Sequence, residues 1–178
     1  MTTSNVSSII SRSAADFPTK VAIVAGDQEL DYATLDTFAR MFAGALTDLG
    51  VAPGEHVALV LPNVPQFSVA YFGCHYAGNP VVPLNVQLTA DELAYHLADS
   101  EAVAVVTWYL FLPTVSEAAA RNPVVRRILV AKADLSDLSA PEGVVNLTAA
   151  VATARPVEQA HPTTASYTAV VLYTSGTT

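Results

Sequence analysis

Residues 56–84 read HVALVLPNVPQFSVAYFGCHYAGNPVVPL and contain two short apolar runs separated by a longer segment. The runs 56–61 and 81–84 are rich in Val and Leu and too short for ordinary helices, which is typical of strands buried in a sheet. In the segment between them, Asn63 can cap a helix that has a proline in its first turn, and Gly78 can end it. This stretch therefore predicts a strand, a helix and a second strand.

The same alternation continues along the chain. Capping-box patterns, in which a threonine is followed three residues later by a glutamate, predict two further helices that start at Thr89 and Thr114. Short apolar strands are predicted over 103–107 and 128–131. Strands and helices that alternate, with strands rich in valine, favour a parallel sheet. We therefore expect an α/β fold of three layers, with a mostly parallel sheet and helices on both of its faces.

The pattern divides the chain into three regions. Residues 1–133 are expected to form an α/β subdomain with a short N-terminal hairpin. Residues 134–166 are poor in bulky apolar side chains and are expected to be a connecting segment, with a short helix over 147–154. Residues 167–178 are expected to hold a last strand and a truncated phosphate-binding loop.

The composition narrows the class of protein. Hydrophobic residues make up 52% of the 178 residues and charged residues 13%, so the chain has enough apolar surface to fold. The formal net charge of −8 disfavours binding to nucleic acid, whose phosphates carry the same sign.

The single cysteine, Cys74, excludes a disulfide framework within the chain and is expected to be an inert core thiol. The first residues lack a signal-peptide pattern and the longest apolar run is well short of a membrane span, so we expect a cytoplasmic protein without a transmembrane segment.

The last residues, 173–178, read YTSGTT and follow the last predicted strand, 168–173. A glycine among small hydroxyl residues suits phosphate binding, because glycine lets backbone N–H groups turn toward an anion and the hydroxyls donate further hydrogen bonds. An ordinary polar turn has the same composition. The strand directly before the loop favours the phosphate-binding interpretation.

These features together resemble the adenylate-forming (AMP-binding) superfamily, and in particular its acyl-CoA synthetases of the fatty-acid-CoA ligase type. The YTSGTT segment is similar to the start of the family's phosphate-binding loop, which continues as Gly-x-Pro-Lys-Gly. Other segments are similar to family motifs in the family's order: 14–22 (AADFPTKVA), 30–36 (LDYATLD), 50–58 (GVAPGEHVA), 61–63 (LPN) and 77–85 (AGNPVVPLN). The departures, among them Asp31, Thr34 and Asn79, lie in structural motifs.

The resemblance implies an acid–thiol ligase that uses ATP, magnesium and coenzyme A to convert a carboxylic acid, fatty or aryl, into an acyl-adenylate and then into a thioester. It implies that Thr174, Ser175, Gly176, Thr177 and Thr178 bind the phosphates of ATP, and that Thr177 also helps to bind magnesium. It places no catalytic residue in this chain, because the family's loop lysine and its other site residues would lie beyond Thr178. We therefore expect this chain alone to be inactive.

A second hypothesis is a truncated, non-catalytic subdomain that acts by binding itself or another protein. The last strand is apolar on both faces over 169–173, so an unpaired edge there would offer a template for a second chain, and we expect a homodimer. Residues 108–112, WYLFL, are expected to pack inside the protein, and the alternative is a membrane-surface patch for fatty substrates. The histidines have no metal-ligand spacing and are expected to be structural or solvated: His56, His75, His96 and His161.

Overall fold

A computed structural model describes residues 5–26 and 28–174 of the chain. The helices are α1 (Ser8–Asp16), α2 (Tyr32–Asp48), α3 (Pro65–Ala77), α4 (Ala90–Asp99), α5 (Leu112–Ala120) and α6 (Leu147–Thr153). The strands are β1 (Val21–Ala25), β2 (Gln28–Asp31), β3 (His56–Val60), β4 (Val81–Pro83), β5 (Ala102–Trp108), β6 (Arg127–Ala131) and β7 (Val144–Asn146). A 3-10 turn over Tyr109–Phe111 joins β5 to α5.

The described part of the chain forms one five-stranded sheet and a separate antiparallel pair, β1 and β2. The five strands lie in the order β4-β3-β5-β6-β7, and every neighbouring pair is parallel. Successive side chains of a strand point to opposite faces. Leu59 and Val106 belong to a core cluster with residues of α1, α2, α3 and α6, whereas Ala58 and Val105 belong to a second cluster with residues of α4 and α5. The predicted three-layer α/β fold is confirmed.

Local sequence signals set several helix ends. The Asp31 carboxylate accepts the N–H of Thr34 at 2.8 Å and caps α2. Thr89 and Glu92 form a capping box at the start of α4, as predicted. Gly78 ends α3, also as predicted, with a φ of 79° that is costly for residues other than glycine. Asp31 and Thr89 thus mark where two helices begin, and Gly78 separates α3 from β4, which begins at Val81.

Two predicted helix starts are wrong. α3 is capped by Val64 rather than Asn63, because Pro65 takes the first helical position and holds the residue before it in an extended conformation. α5 begins at Leu112 rather than after a cap at Thr114, because the chain already turns in the 3-10 segment and a proline is favoured in the first turn of the helix that follows.

Strand β7 lies within the region that the sequence indicates as a connection. It pairs in parallel with β6, with Leu129 opposite Val145. A strand of three residues is too short to show a periodic pattern, so the sequence does not predict it. The short helix predicted over 147–154 is confirmed as α6. The division of the chain after residues 133 and 166 stays a prediction.

Candidate phosphate-binding site

The segment before the predicted loop runs along the outer side of β4. Val81 donates its N–H to the carbonyl oxygen of Ala169, and Val171 donates its N–H to the carbonyl oxygen of Val81, both at 2.9 Å. The bridge between Val81 and Val170 is parallel. The segment thus extends the sheet beyond β4, but it forms this single bridge rather than the full strand predicted over 168–173.

The parallel direction points the segment toward the carboxyl edge of the sheet, where β4 is followed by Leu84 and Asn85. Its bridge is at Val81, the first residue of β4, and Thr174 at its end is exposed. In the sheet order, β4 lies on one side of β3 and β5 on the other. The strand order therefore reverses between β3 and β5, which creates a topological switch point, and ligands of parallel α/β sheets commonly bind outside the carboxyl ends of the strands at such a point. The segment that precedes the candidate loop is separated from β3 by β4.

Of the predicted phosphate-binding residues, the structure describes Thr174 alone. Ser175, Gly176, Thr177 and Thr178 lie outside the described residues, and Thr177 is also the predicted magnesium ligand. Within the described ranges, no group of three or more His, Cys, Asp or Glu side chains could hold a metal ion. The geometry of the loop therefore stays a prediction. The structure describes only the residue at which the loop begins, Thr174.

Tyr173, directly before the loop, contacts the last turn of α4. Its hydroxyl donates to Asp99 Oδ2 at 2.7 Å, and its ring centroid lies 4.2 Å from that of His96. Burial and the bond to the carboxylate raise the pKa of Tyr173 to about 12, so its hydroxyl remains a donor at neutral pH. Sequence reasoning missed this contact, because Asp99 lies 74 residues earlier and no local pattern connects the two.

Cys74 and His75 lie in the last turn of α3, which runs back toward the amino edge of the sheet. Cys74 is fully buried, and burial raises the pKa of its thiol, which agrees with the prediction of a core thiol. His75 is 5% exposed, and its ring packs edge-on against Tyr71 with centroids 4.7 Å apart. Burial lowers the pKa of His75 to about 4, so the imidazole is neutral at pH 7. Both groups are part of the core.

A cavity of about 610 Å³ lies among β2, α2, α3 and α6. Its apolar wall includes Leu30, Phe38, Met41, Val69, Leu147 and Val151. Glu29 is the charged residue that the structure places in this wall. The side chain of Glu29 is exposed, so the cavity itself is lined mainly by apolar side chains.

The apolar run 108–112 is divided between core and surface. Trp108 and Phe111 pack against the two core clusters, whereas Tyr109 is 43% exposed and Leu110 is 63% exposed. The expectation of internal packing therefore holds for part of the run. In the ranges 5–26 and 28–174, no helix is both long enough and apolar enough to cross a bilayer.

Comparison with known proteins gives consistent matches. The sequence profile of the family described as AMP-binding enzyme matches residues 10–178. The long-chain-fatty-acid–CoA ligase of Bacillus subtilis is 38% identical over 106 residues, which are 60% of this chain and 19% of that protein. The 4-hydroxybenzoate–CoA/benzoate–CoA ligase of Rhodopseudomonas palustris is 34% identical over 159 residues, which are 89% of this chain and 28% of that protein. The chain thus spans less than a third of either relative.

A solved structure shares the fold. The crystal structure of the anthranilate CoA ligase AuaEII in complex with anthranoyl-AMP superposes with a TM-score of 0.91 at 24% identity. The match covers 99% of this chain and 33% of that one. The strand order and the layers described above are therefore those of a known α/β architecture.

Proposed function

The chain belongs to the AMP-binding enzyme family, and from this premise we propose that it is the first part of an ATP-dependent acyl-CoA synthetase. The names of the relatives support the class of acid–thiol ligases. In the proposed reaction, a carboxylate attacks the α-phosphorus of ATP and pyrophosphate leaves. The thiol of coenzyme A then attacks the acyl carbon, loses its proton, and releases AMP.

The observation that carries this proposal is the direction of the segment before Thr174. The segment is parallel to β4 and so points toward the carboxyl edge of the sheet, the edge at which ligands of parallel α/β sheets bind. We propose that residues 174–178 hold the β- and γ-phosphates with backbone N–H groups and hydroxyls, and so stabilise the charge on the leaving pyrophosphate. The hydroxyl oxygen of Thr177 suits magnesium, which prefers oxygen ligands.

The proposed substrate is an apolar carboxylic acid, fatty or aryl. The two relatives are named for long-chain fatty acids and for benzoates, so their names do not select one class. The Bacillus subtilis relative is 38% identical over 106 residues and the Rhodopseudomonas palustris relative 34% identical over 159 residues, so long-chain fatty acids and benzoates are both to be tested. A cytoplasmic location stays a prediction.

We propose that the 178-residue chain is inactive by itself. Its sequence contains YTSGTT but not the Gly-x-Pro-Lys-Gly continuation that the family resemblance implies. A positively charged clamp on a transferred phosphoryl group typically supplies several kcal/mol of transition-state stabilisation. Without it, adenylate formation is expected to stay at background.

The complete product of the gene is the protein to test. An intact-mass measurement gives its length, and ATP–pyrophosphate exchange with fatty and aryl acids gives its activity. We expect acid-dependent exchange by the complete product and background by the 178-residue chain. Thr177→Val is expected to lower exchange at least tenfold, whereas Thr168→Val, at an exposed threonine before the loop, leaves it unchanged. A complete product without exchange on any acid would contradict the proposal.

One observation favours a second role, self-association. Leu172 is 70% exposed, while Val171 beside it packs against the core. In the described chain, residues 169–171 pair with β4 on one side only, which leaves an edge that another chain can extend. We propose a homodimer through this segment.

Light scattering after size exclusion, at low micromolar concentration, tests the homodimer. We expect Leu172→Lys to be monomeric. Leu138→Lys is the matched control, because Leu138 is 53% exposed and lies in the 134–143 segment, so this variant is expected to remain a dimer. A parent chain that is already monomeric refutes the idea.

A further inference from the structure

The cavity among β2, α2, α3 and α6 has the size and the lining of a small-molecule site. Its volume is about 610 Å³, and such sites commonly measure about 300–1,000 Å³. Apolar side chains reach it from four elements and from the segment after β6, so it is enclosed from several directions. They include Leu30 of β2, Met41 of α2, Val69 of α3, Val151 of α6, and Leu135.

Two large apolar side chains of this lining remain in contact with solvent. Phe38 is 39% exposed and Leu135 is 50% exposed, and both line the cavity. Transfer of apolar surface from water to an apolar environment lowers the free energy, roughly in proportion to the area that is covered. The cavity therefore favours a ligand whose body is apolar.

One polar side chain of the lining, Gln66, has unused hydrogen-bonding capacity. Its Nε2 lies 3.4 Å from the carbonyl oxygen of Lys132, whereas such bonds usually measure about 2.9–3.0 Å. Its Oε1 is buried and accepts no hydrogen bond in the described part of the chain. The last torsion of a glutamine side chain has no sharply preferred angle, so this loosely held amide can turn its oxygen toward a donor in the cavity.

The charge of the lining selects the polar group of the ligand. Among the described residues that line the cavity there is no lysine, arginine or histidine, and Glu29 is exposed. An ionised group is costly to bury unless it is paired and hydrogen-bonded, and this lining supplies no cation to pair with a carboxylate. A neutral hydroxyl needs only one acceptor for its O–H, which Gln66 Oε1 can provide.

We propose that this cavity binds an uncharged long-chain alcohol, with the chain against the apolar walls and the hydroxyl donating to Gln66 Oε1. Of the described residues 168–174, none lines the cavity, so the site is separate from the candidate phosphate-binding segment. The inference goes beyond the proposed reaction and does not depend on it.

Methyl NMR tests the site directly, because the chain has two methionines, Met1 and Met41, and Met41 lines the cavity. Methionine labelled with ¹³C at its methyl group therefore places a reporter in the wall, and Met41→Leu assigns its signal. We expect 1-decanol to shift this signal with a Kd of about 100 µM or tighter. Decanoate, which has the same chain length, is expected to bind at least about fivefold more weakly, since its head group lacks a donor and carries a charge.

Three variants separate the parts of the site. Ala152 is exposed and lines the cavity near the end of α6, so Ala152→Trp can fill the cavity without disturbing the core, and we expect it to weaken decanol binding at least about tenfold. Ala120→Trp is the matched control, because Ala120 is an exposed alanine at the end of α5, which packs on the other face of the sheet. Gln66→Leu is expected to weaken decanol about three- to tenfold, the size of one lost hydrogen bond, and to leave decanoate unchanged.

The same titration with the complete gene product shows whether the cavity is open in the whole protein. A Met41 shift with decanol in both proteins, lost in Ala152→Trp and kept in Ala120→Trp, supports the proposal. A Met41 signal that decanol does not move, or equal affinity in the parent and Ala152→Trp, overturns it. Binding by the 178-residue chain that disappears in the complete product also overturns it, because another part of the protein then fills the cavity. Equal affinities for decanol and decanoate overturn the assignment of the hydroxyl to Gln66.

Discussion

Lowering the pH is expected to destabilise the fold through His75. The imidazole is 5% exposed, its ring packs against Tyr71, and its Nε2 makes no hydrogen bond in the described structure. A proton added to this ring would place a charge where water cannot reach it and where nothing accepts the second N–H. Burial accordingly lowers the pKa of His75 from 6.5 to about 4.

The sign and size of the effect follow from linkage. The unfolded chain binds a proton on His75 below pH 6.5 and the folded chain below about pH 4, so unfolding takes up a proton in this window and stability falls as the pH falls. The difference between the folded and unfolded pKa values corresponds to a loss of about 3 kcal/mol in the free energy of unfolding at a pH where both the folded and the unfolded chain are protonated. Between pH 8 and pH 5.5 the expected loss is about 1 to 2 kcal/mol. The stabilisation is fully present above pH 6.5.

Urea unfolding at pH 8 and pH 5.5 measures the effect, and pH 5.5 keeps the protein above its isoelectric point near 4.7. His75→Phe keeps an aromatic ring against Tyr71 and cannot titrate, and His75→Leu is a second, smaller replacement. We expect the parent to lose about 1 to 2 kcal/mol more than either variant over this interval. An equal loss in parent and variants would refute the reasoning, because the other histidines and the carboxylates would then explain the whole pH dependence.

Three further predictions concern the core and the ligand. Gly73→Ala is expected to lower the free energy of unfolding by about 1 to 2 kcal/mol in urea, because a Cβ there would lie 2.6 Å from Phe42 Cδ1 and 2.7 Å from the carbonyl oxygen of Ala39, which outweighs the gain of about 1 kcal/mol in helix propensity. The thiol of Cys74 is expected to react with iodoacetamide only in denaturant, since burial raises its pKa, and labelling of the native chain within minutes would contradict this. ATP is expected to bind the 178-residue chain with a Kd of about 1 mM or weaker in calorimetry, and micromolar affinity would indicate a site elsewhere in the chain.

The layers of the fold could be predicted because the signals are local. β3 and β5 are buried on both faces, so they appear in the sequence as the apolar runs VALV over 57–60 and AVAVV over 102–106. Gly78 marks the end of α3 by its backbone conformation. β7 could not be predicted, because a strand of three residues is stabilised by its pairing with β6 rather than by its own pattern. Asn63 has the side chain of a cap, but the backbone restriction before Pro65 decides the start of the helix.

The candidate site could be predicted in part because one of its signals, the composition of residues 173–178, is local in the sequence. The YTSGTT composition points to phosphate, and the parallel bridge at Val170 gives only the direction of the segment before the loop, so the loop itself stays a prediction. The partner of Tyr173 could not be predicted, because Asp99 is brought to it by the packing of α4 on the sheet and not by sequence spacing. The burial of His75 is likewise a product of packing, since α3 is apolar around most of its circumference.

Transfer of labelled oxygen tests the central claim most directly. If the acid's carboxylate attacks the α-phosphorus of ATP, the carboxylate oxygen that forms the new bond remains with AMP when coenzyme A takes the acyl group. We would incubate the complete gene product with ATP, coenzyme A and a fatty or aryl acid whose carboxylate carries ¹⁸O, and analyse the nucleotide by mass spectrometry. The account predicts AMP with one labelled oxygen, together with pyrophosphate and the acyl thioester. Unlabelled AMP, or ADP with inorganic phosphate, would show that the protein carries out a different reaction.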